Sequence, residues 1–371
     1  MLTAPRPLRI ALLSCAHTHA AGYAALLDAR GDVDLVVSDP DGFGDVHVSE
    51  RSRLVGSHEE ALDAWADGSG AADGAAASDG RGGVSGPDAV VVTSANAHHR
   101  DLVLEAARRG AHVLCEKPLA TTVADAEQMV AACREAGVLL MTAFPVHFAP
   151  QVAALREAVA HGSLGEVVGV TGTNNGKLPT GRDWFTDVGL SGGGALVDHT
   201  VHIAQILDSV FGEPESVHAV TNRILYADRA GEGAETGGLV TLTYPDGLVA
   251  TIDCSWSQPA EAPTWGGVTL QAVGTEGQLV IDPFSQHVGG FGQWLPYGAD
   301  LDALMLEAFL GGVRARADGT GARPDGAAGP DAPALLEPSG ETGLRTVRVV
   351  AAAQESVATG QPVALAALRG A

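Results

Sequence analysis

The first 145 residues alternate short apolar runs with stretches that have helical spacing. Buried-strand patterns occupy residues 9–13, 33–37, 89–93, 112–115 and 138–142. Helical patterns occupy residues 20–29, 59–65 and 101–109, and Thr122 with Asp125 predicts a capping box for a helix that ends near Gly137. A strand, a helix and a second strand within about 30 residues form a βαβ unit, whose strands are parallel. The pattern therefore predicts a doubly wound α/β domain with a parallel sheet.

The pattern changes after Pro145. Helices are predicted at residues 151–161 and 195–211, and alternating apolar and polar positions predict strands at 167–173, 216–224, 238–244, 248–255, 268–273 and 278–281. Turn sequences such as Pro245-Asp246-Gly247 separate neighbouring runs, which is typical of strands joined by hairpins. The second half is therefore expected to be an α+β domain with a large, mostly antiparallel sheet.

These changes of pattern divide the chain into residues 1–144, residues 145–340, and a C-terminal helix and tail at 341–371. Residues 67–87 are rich in Gly, Ala, Ser and Asp and have no periodicity. They are therefore expected to form a flexible surface insertion in the first domain.

Composition and charge limit the kinds of binding partner and the cellular location that can be expected for this protein. The formal net charge is −23, and a surface this acidic repels nucleic acid and anionic membranes. Such a surface is typical of a salt-adapted cytosol, and a high-GC genome would produce the same bias. The sequence has no apolar run of the roughly 18 residues that a membrane span needs, and its N-terminal apolar run is too short for a signal peptide. A cytoplasmic protein that binds neither nucleic acid nor membrane is expected.

The turn after the first predicted strand is where a doubly wound domain would hold the pyrophosphate of a dinucleotide. The usual G-x-G-x-x-G pattern is missing, because Ser14, Ala16 and His19 occupy the glycine positions. Asp39 ends the second strand at the distance expected for an acceptor of adenosine-ribose hydrogen bonds. An aspartate before a proline is also a common turn residue, so both interpretations stay open.

His17 and His19 also have the spacing of two metal ligands after the first strand of a barrel. That interpretation would indicate a metal-dependent hydrolase. Such a hydrolase needs an eight-fold barrel that supplies further His and Asp ligands, and the predicted antiparallel second half does not supply one.

Lys117 is one of only two lysines in the chain, the other being Lys177. It directly follows an apolar run in a protein that otherwise uses arginine, which favours a site that needs a titratable amine over a solvent-facing lysine at a strand end. Asp198 and His202 are four residues apart after a glycine loop, so they share one face of the predicted helix. They suit acid–base chemistry, although a capping aspartate and an ordinary helix histidine would produce the same spacing.

Together these segments resemble the glucose-fructose oxidoreductase / inositol dehydrogenase family (Gfo/Idh/MocA) over nearly the whole chain. Residues 95–99 resemble its T-P-N-x-x-H motif with Ala95 in place of proline. Glu116-Lys117-Pro118 matches its E-K-P signature, and residues 193–202 resemble its G-G-x-x-x-D-x-x-x-H motif. Residues 341–363 resemble its closing helix.

The resemblance implies a Rossmann-type dinucleotide-binding first domain and a second domain whose sheet makes the interface of a homodimer or homotetramer. It also implies NAD(P)-dependent hydride transfer at a secondary alcohol of a sugar, sugar acid or cyclic polyol. Lys117 would polarise the substrate oxygen, Asp198 would hold the site together and His202 would transfer the proton. No metal is implied. The cofactor contacts are expected at Ser14, Ala16, His17, His19, Asp39, Thr93, Asn96, His99, Glu116, Lys117 and Pro118.

Cofactor choice and the presence of activity are two further points of that interpretation. No Arg or Lys follows Asp39 before Arg51, and an acidic group there repels a 2'-phosphate, so NAD is expected rather than NADP. The missing glycines favour the alternative of a non-catalytic member that senses a nucleotide or a sugar. The retained Lys117, Asp198 and His202 favour an enzyme.

Overall fold

The computed structural model describes residues 6–66, 86–262, 265–285, 287–290, 293–318 and 336–368. Most of the predicted insertion at 67–87 lies outside these ranges. The described residues form two compact units. The first comprises the described parts of Met1–Glu116, Glu127–Ala143 and Leu306–Gly340, and the second those of Lys117–Ala126, Phe144–Met305 and Glu341–Ala371. Every helix in the described ranges is too short or too polar to cross a membrane.

The elements follow the predicted alternation closely. The helices are α1 (Ala20–Asp28), α2 (His58–Leu62), α3 (His99–Arg108), α4 (Val123–Glu135), α5 (Pro150–Ala160), α6 (Val188–Ser191), α7 (Ala195–Phe211), α8 (Leu301–Ala317) and α9 (Gly340–Thr359). The strands are β1 (Leu8–Leu13), β2 (Val33–Ser38), β3 (Arg53–Val55), β4 (Ala89–Val92), β5 (His112–Glu116), β6 (Leu140–Ala143), β7 (Val167–Lys177), β8 (Ser216–Asn222), β9 (Gly237–Thr243), β10 (Val249–Gln258), β11 (Gly266–Gly274), β12 (Gln278–Ile281), β13 (His287–Gly290), β14 (Gln293–Pro296) and β15 (Val363–Ala364).

The first unit is built on a six-stranded sheet in the order β3-β2-β1-β4-β5-β6. All neighbouring strands are parallel, and β4 and β5 are buried throughout, as expected for strands covered on both faces. The predicted doubly wound sheet is therefore confirmed. Its strand order reverses at β1, between β2 and β4, and ligands of such sheets bind at the carboxyl ends of the strands beside this point.

Helix α8 was not predicted from the sequence, which assigned residues 306–340 to the second domain. In the structure the described ones among these residues, 306–318 and 336–340, group with the first unit. Arg314 donates to the Asp32 carboxylate at 2.9 Å, and Glu307 accepts from Arg30 at 2.5 Å. These ion pairs attach the helix to the loop before β2.

The second unit is built on a seven-stranded sheet in the order β12-β11-β7-β10-β9-β8-β15. All neighbours are antiparallel except β7 and β10, so the prediction of a mostly antiparallel sheet is confirmed. One face of the sheet packs against α5, α7 and α9 in a single apolar core. On the other face, five apolar residues are between 39% and 62% exposed: Val220, Leu239, Val249, Val273 and Val280.

Candidate active site

The turn between β1 and α1 keeps the backbone shape that a glycine would adopt. Ser14 has a φ of 75°, in the left-handed region that favours glycine. Its hydroxyl accepts the Ala16 N–H at 3.1 Å, and its carbonyl accepts the Thr93 hydroxyl at 2.6 Å. The serine side chain therefore closes the turn that its backbone shapes.

Most N–H groups of this turn bond within the protein. Besides Ala16, the His17 N–H donates to the Thr93 carbonyl at 2.9 Å and the His19 N–H donates to His17 Nδ1 at 3.2 Å. The Ala20 N–H donates to the His17 carbonyl at 3.1 Å. In a glycine loop, N–H groups at this place face the pyrophosphate.

Glu116, at the end of β5, is the centre of a buried polar cluster. Tyr23 Oη donates to its Oε1 at 2.8 Å, and His19 Nδ1 lies 2.9 Å from the same oxygen. His17 Nε2 lies 3.8 Å from Oε2. The Glu116 side chain is 0% exposed, whereas 38% of the His19 side chain is exposed. The carboxylate is therefore enclosed by donors, and the His19 ring lies between it and the surface.

The spacing of His17, His19 and Glu116 would suit a metal ion, because their ligand atoms lie within 4.8 Å of one another. The hydrogen bonds argue against one. His17 Nδ1 accepts a backbone N–H, so the proton of the neutral ring is on Nε2, the atom that faces the carboxylate. A metal at Nε2 would require the opposite tautomer. The hydrolase hypothesis also lacks its barrel, since the described strands form the sheets given above.

Asp39 follows β2 at the neighbouring strand end. Its Oδ2 accepts the Gly44 N–H at 3.0 Å, while its buried Oδ1 has no hydrogen-bond partner among the described residues. A buried carboxylate oxygen without a donor at this position suits a ribose hydroxyl. The acceptor at this strand end therefore fits the ribose at the adenosine end of a dinucleotide.

The remaining predicted cofactor contacts lie near the ends of β4 and β5. Asn96 and His99 are buried, and the His99 ring bonds within its own segment, with Nε2 3.2 Å from the Ser94 carbonyl. Lys117 and Pro118 directly follow β5. Their contacts with a cofactor stay predictions.

In the second unit, Lys117 and Asp198 form a buried ion pair. Lys117 Nζ donates to Asp198 Oδ1 at 2.6 Å, and the two side chains are 6% and 14% exposed. The other oxygen, Oδ2, accepts from Trp256 Nε1 at 3.3 Å and lies 3.2 Å from His199 Nε2. Burial alone would raise the pKa of Asp198, but the Lys117 ammonium and then the His199 ring outweigh it and hold that pKa well below its usual range.

His199, which sequence reasoning missed, supplies the imidazole that contacts Asp198. Adjacent helix positions do not normally face each other. The contact is possible because Gly176 on β7 leaves room, since a Cβ there would lie 2.7 Å from His199 Cε1. No sequence signal marks this approach. His202, predicted for proton transfer, packs edge-on against Phe144 with ring centroids 5.9 Å apart.

Glu235 was also missed, and it caps α7. Its Oε1 accepts the N–H groups of Gly194 and Leu196 at 2.8 and 3.0 Å. Burial raises the pKa of Glu235, and the backbone N–H groups only partly oppose that rise. The carbonyl of the next residue, Thr236, accepts the backbone N–H of Trp256 at 3.0 Å. This short segment therefore holds both the start of the helix and the residue whose indole binds the carboxylate.

Two family models match the chain. The oxidoreductase family with an NAD-binding Rossmann fold (GFO_IDH_MocA) matches residues 54–144, and the GFO/IDH/MocA C-terminal domain matches residues 152–280. Together they cover more than half of the chain. The chain belongs to the Gfo/Idh/MocA family. The expected NAD-binding Rossmann fold is thereby confirmed, although the match to this Gfo/Idh/MocA model begins only after β2.

Several similar proteins are named for sugar chemistry. The 1,5-anhydro-D-fructose reductase of Ensifer adhaerens is 35% identical over 195 residues, which are 52% of this chain and 56% of that protein. The D-xylose 1-dehydrogenase (NADP(+)) 2 of Haloferax volcanii is 34% identical over 172 residues, which are 46% of this chain and 51% of that protein. The chain thus spans about half the length of the curated relatives it matches.

Solved structures of other proteins share this fold. GenD2 from gentamicin A biosynthesis, solved in complex with NAD, has a TM-score of 0.73 and 23% identity, with 97% of each chain covered. At that identity the likeness establishes the fold alone.

Proposed function

We propose that this protein is an NAD(P)-dependent oxidoreductase. It transfers a hydride between nicotinamide and a secondary alcohol or ketone of a sugar, sugar acid or cyclic polyol. The observation that carries the proposal is the buried ion pair in which Lys117 Nζ lies 2.6 Å from Asp198 Oδ1. Family membership supports the reaction class, and the sugar chemistry in the names of the relatives supports the substrate class.

Four residues of the second unit have roles in this proposal: Lys117, Asp198, His199 and His202. Bound NAD(P) supplies the hydride chemistry, and the protein supplies position and charge. Lys117 donates a hydrogen bond to the substrate oxygen, whose charge changes during the reaction. Asp198 stays ionised because its pKa is low, and it fixes the ammonium in place. His202 takes up or returns the hydroxyl proton, while His199 orients the aspartate.

Cofactor choice and assembly belong to the same proposal. Asp39 Oδ1, which has no partner among the described residues, supports NAD over NADP, because a carboxylate there accepts from a ribose hydroxyl and repels a phosphate. The exposed apolar side chains on the open face of the second sheet support a homodimer or homotetramer formed through that face. A cytoplasmic location is part of the proposal, on the grounds of the acidic composition.

A non-catalytic member that senses a nucleotide or sugar is the second candidate. The observation that favours it is the internal bonding of the N–H groups in the first turn.

A screen of sugars, sugar acids and polyols with NAD and with NADP, followed by the absorbance of the reduced nicotinamide, separates the two candidates. Turnover that Lys117→Ala abolishes supports the enzyme. Tight cofactor binding without turnover of any of these classes favours the sensor.

A further inference from the structure

His19 lies in the turn between β1 and α1, at a position where this turn differs from a glycine loop. It occupies the third glycine position and directly precedes α1. The match to the NAD-binding family model begins at residue 54, so the turn lies outside the matched segment. The match therefore does not show which residues of the turn would hold a dinucleotide diphosphate.

Three backbone donors of the turn are already occupied by hydrogen bonds within the protein. The N–H groups of Ala16, His17 and His19 bond to Ser14 Oγ, to the Thr93 carbonyl and to His17 Nδ1. A diphosphate could use them only by breaking these bonds. A side-chain donor at this turn would replace the three N–H groups that these bonds already occupy.

The His19 ring has the geometry of such a donor. Its Nδ1 lies 2.9 Å from Glu116 Oε1 and 3.4 Å from Tyr23 Oη. A carboxylate accepts only, so Nδ1 carries a proton, and the ring edge with Nε2 is directed away from the carboxylate. Since 38% of the side chain is exposed, a ligand can reach the ring.

Charge decides which form of the ring can bind. Glu116 is fully buried, and a diphosphate close to an uncompensated buried carboxylate would be repelled. The groups that contact His19 include Glu116 from the end of β5, His17 from the turn and Tyr23 from α1. Of these, only the two histidines can supply positive charge, and His17 makes a backbone hydrogen bond through Nδ1.

We propose that the imidazolium of His19, held by Glu116, binds the cofactor diphosphate in place of the backbone N–H groups of a glycine loop. This inference rests on the proposed cofactor binding and extends it to a side-chain anion site. An anion stabilises the protonated ring, so binding takes up a proton when the free ring is neutral. The affinity is therefore highest at acidic pH and is lost as the pH rises past the pKa of the bound ring.

The test is calorimetric titration of the full chain with ADP-ribose at pH 6 and pH 8, with adenosine as the ligand that lacks phosphate. Because an imidazole ordinarily titrates near pH 6.5, ADP-ribose should bind about tenfold more weakly at pH 8. Adenosine should show no such change. Titration in two buffers of different ionisation enthalpy should show uptake of up to about one proton near neutral pH.

Variants separate the effect of the His19 charge on ADP-ribose binding from any effect on the structure of the turn. His19→Gln should bind ADP-ribose weakly at both pH values, and His19→Arg should bind it with little pH dependence, because arginine stays charged. Glu116→Gln should weaken binding at pH 6. His47→Gln, which changes an exposed imidazole of the same unit, should behave as the wild type.

The outcomes distinguish this inference from the proposed function. ADP-ribose binding that is tight and independent of pH in the wild type would overturn the inference and leave the function standing. The inference is equally overturned if folded His19→Gln keeps the pH dependence of the wild type. If neither ADP-ribose nor NADH binds at either pH, both proposals are wrong.

Discussion

Glu116 and Asp198 are buried carboxylates in different units, and their partners differ in kind. Asp198 pairs with an ammonium, through Lys117, and accepts from the Trp256 indole. Glu116 is surrounded by imidazoles and a phenol. Imidazoles titrate near neutral pH, whereas a lysine–aspartate pair keeps its charges there. The second unit thus contains a lysine–aspartate ion pair, whereas the partners of the carboxylate in the first unit are imidazoles and a phenol, which carry no permanent positive charge. Substitutions in the two units should expose that contrast through effects of decreasing size.

The largest effect is expected at Lys117. Lys117→Ala and Lys117→Arg should each lose at least ~100-fold in kcat, because the charge on the substrate oxygen is stabilised mainly in the transition state. Steady-state kinetics on a substrate found in the screen measure this loss. Lys177→Arg is the control at the other lysine, whose Nζ donates to the carbonyls of Ala260 and Ala262. Wild-type turnover by Lys117→Arg would contradict the role given to the lysine.

Lys117 should also contribute to the free energy of unfolding, and the size of that contribution should depend on pH. A carboxylate with a lowered pKa stabilises the fold above its unfolded pKa, about 3.9 for aspartate, and that contribution disappears as the pH falls through the folded pKa. Lys117→Ala leaves the buried Asp198 unpaired, so it should cost about 3 kcal/mol at neutral pH. The difference from the wild type should shrink below pH 4, as measured by urea unfolding. An equal difference at pH 3 and pH 7 would show that the pair does not govern stability.

The second effect separates two imidazoles that lie on one helix. His202→Asn should lower kcat about 100-fold and remove one limb of its pH profile, as expected for the group that moves the proton. His199→Asn should lower kcat about tenfold but leave both limbs of the pH profile of kcat in place, because it disturbs only the orientation of Asp198. If the limb disappears with His199→Asn instead, the proton-transfer role belongs to His199.

The sequence predicted the two sheets but not every contact that builds the sites. The helix at 195–211 was predicted with its observed bounds, because its apolar positions recur at helical spacing. Strand β3 was missed because it has only three residues, of which two are exposed. Helix α8 was missed although Met305, Phe309 and Val313 recur four apart and are buried.

The two sites differed in how far they could be predicted. The motifs around Lys117 and Asp198 lie within continuous stretches, so a resemblance could locate them. Glu116 and His19 were expected as cofactor contacts, but their contacts with each other and with Tyr23 depend on β1 and β5 ending at one edge of the sheet. His199 depends on Gly176, and the α7 cap depends on Glu235, both distant in sequence. Local patterns do not encode such contacts.

The third effect concerns cofactor choice at Asp39. Its Oδ1 has no partner among the described residues, so the wild type should prefer NAD over NADP by at least about tenfold in kcat/KM, the size expected for hydrogen bonds to a charged group. Asp39→Ala should lose most of that preference, because the substitution weakens the binding of NAD. Kinetics with each cofactor measure it. Equal or better turnover of wild type with NADP, the cofactor in the name of one relative, would refute the assignment.

The fourth effect concerns the cap of α7. Glu235→Ala removes the acceptor for two N–H groups at the helix start, so kcat should fall about fivefold and the free energy of unfolding by about 1 kcal/mol. Glu235→Gln keeps an acceptor oxygen and should restore kcat. Ser57→Ala, which removes the α2 cap, is the matched control and should lower stability without lowering kcat. A similar loss of kcat in the control would show that the Glu235 effect is one of general stability.

The smallest effect should follow from deleting residues 67–85, which lie outside the described ranges. Their composition has too few large apolar residues to build a core. The flanking chain ends come close together, since a Cβ on Gly86 would lie 3.9 Å from the Leu62 carbonyl. A short linker should therefore replace the segment with nearly unchanged Tm, kcat and ADP-ribose affinity.

The deletion has to spare both flanks. Trp65 is 1% exposed and donates to the Asp34 carboxylate at 2.7 Å, and Pro87 is buried beside β4. Trp65→Ala is the contrasting variant and should cost about 3 kcal/mol or more, the usual size for a buried tryptophan. If the deletion lowers Tm as much as Trp65→Ala does, the segment packs against the first unit. In that case the pH dependence of the His19 site should be measured again in the deletion variant, because a packed segment beside the parallel sheet would add groups to its electrostatics.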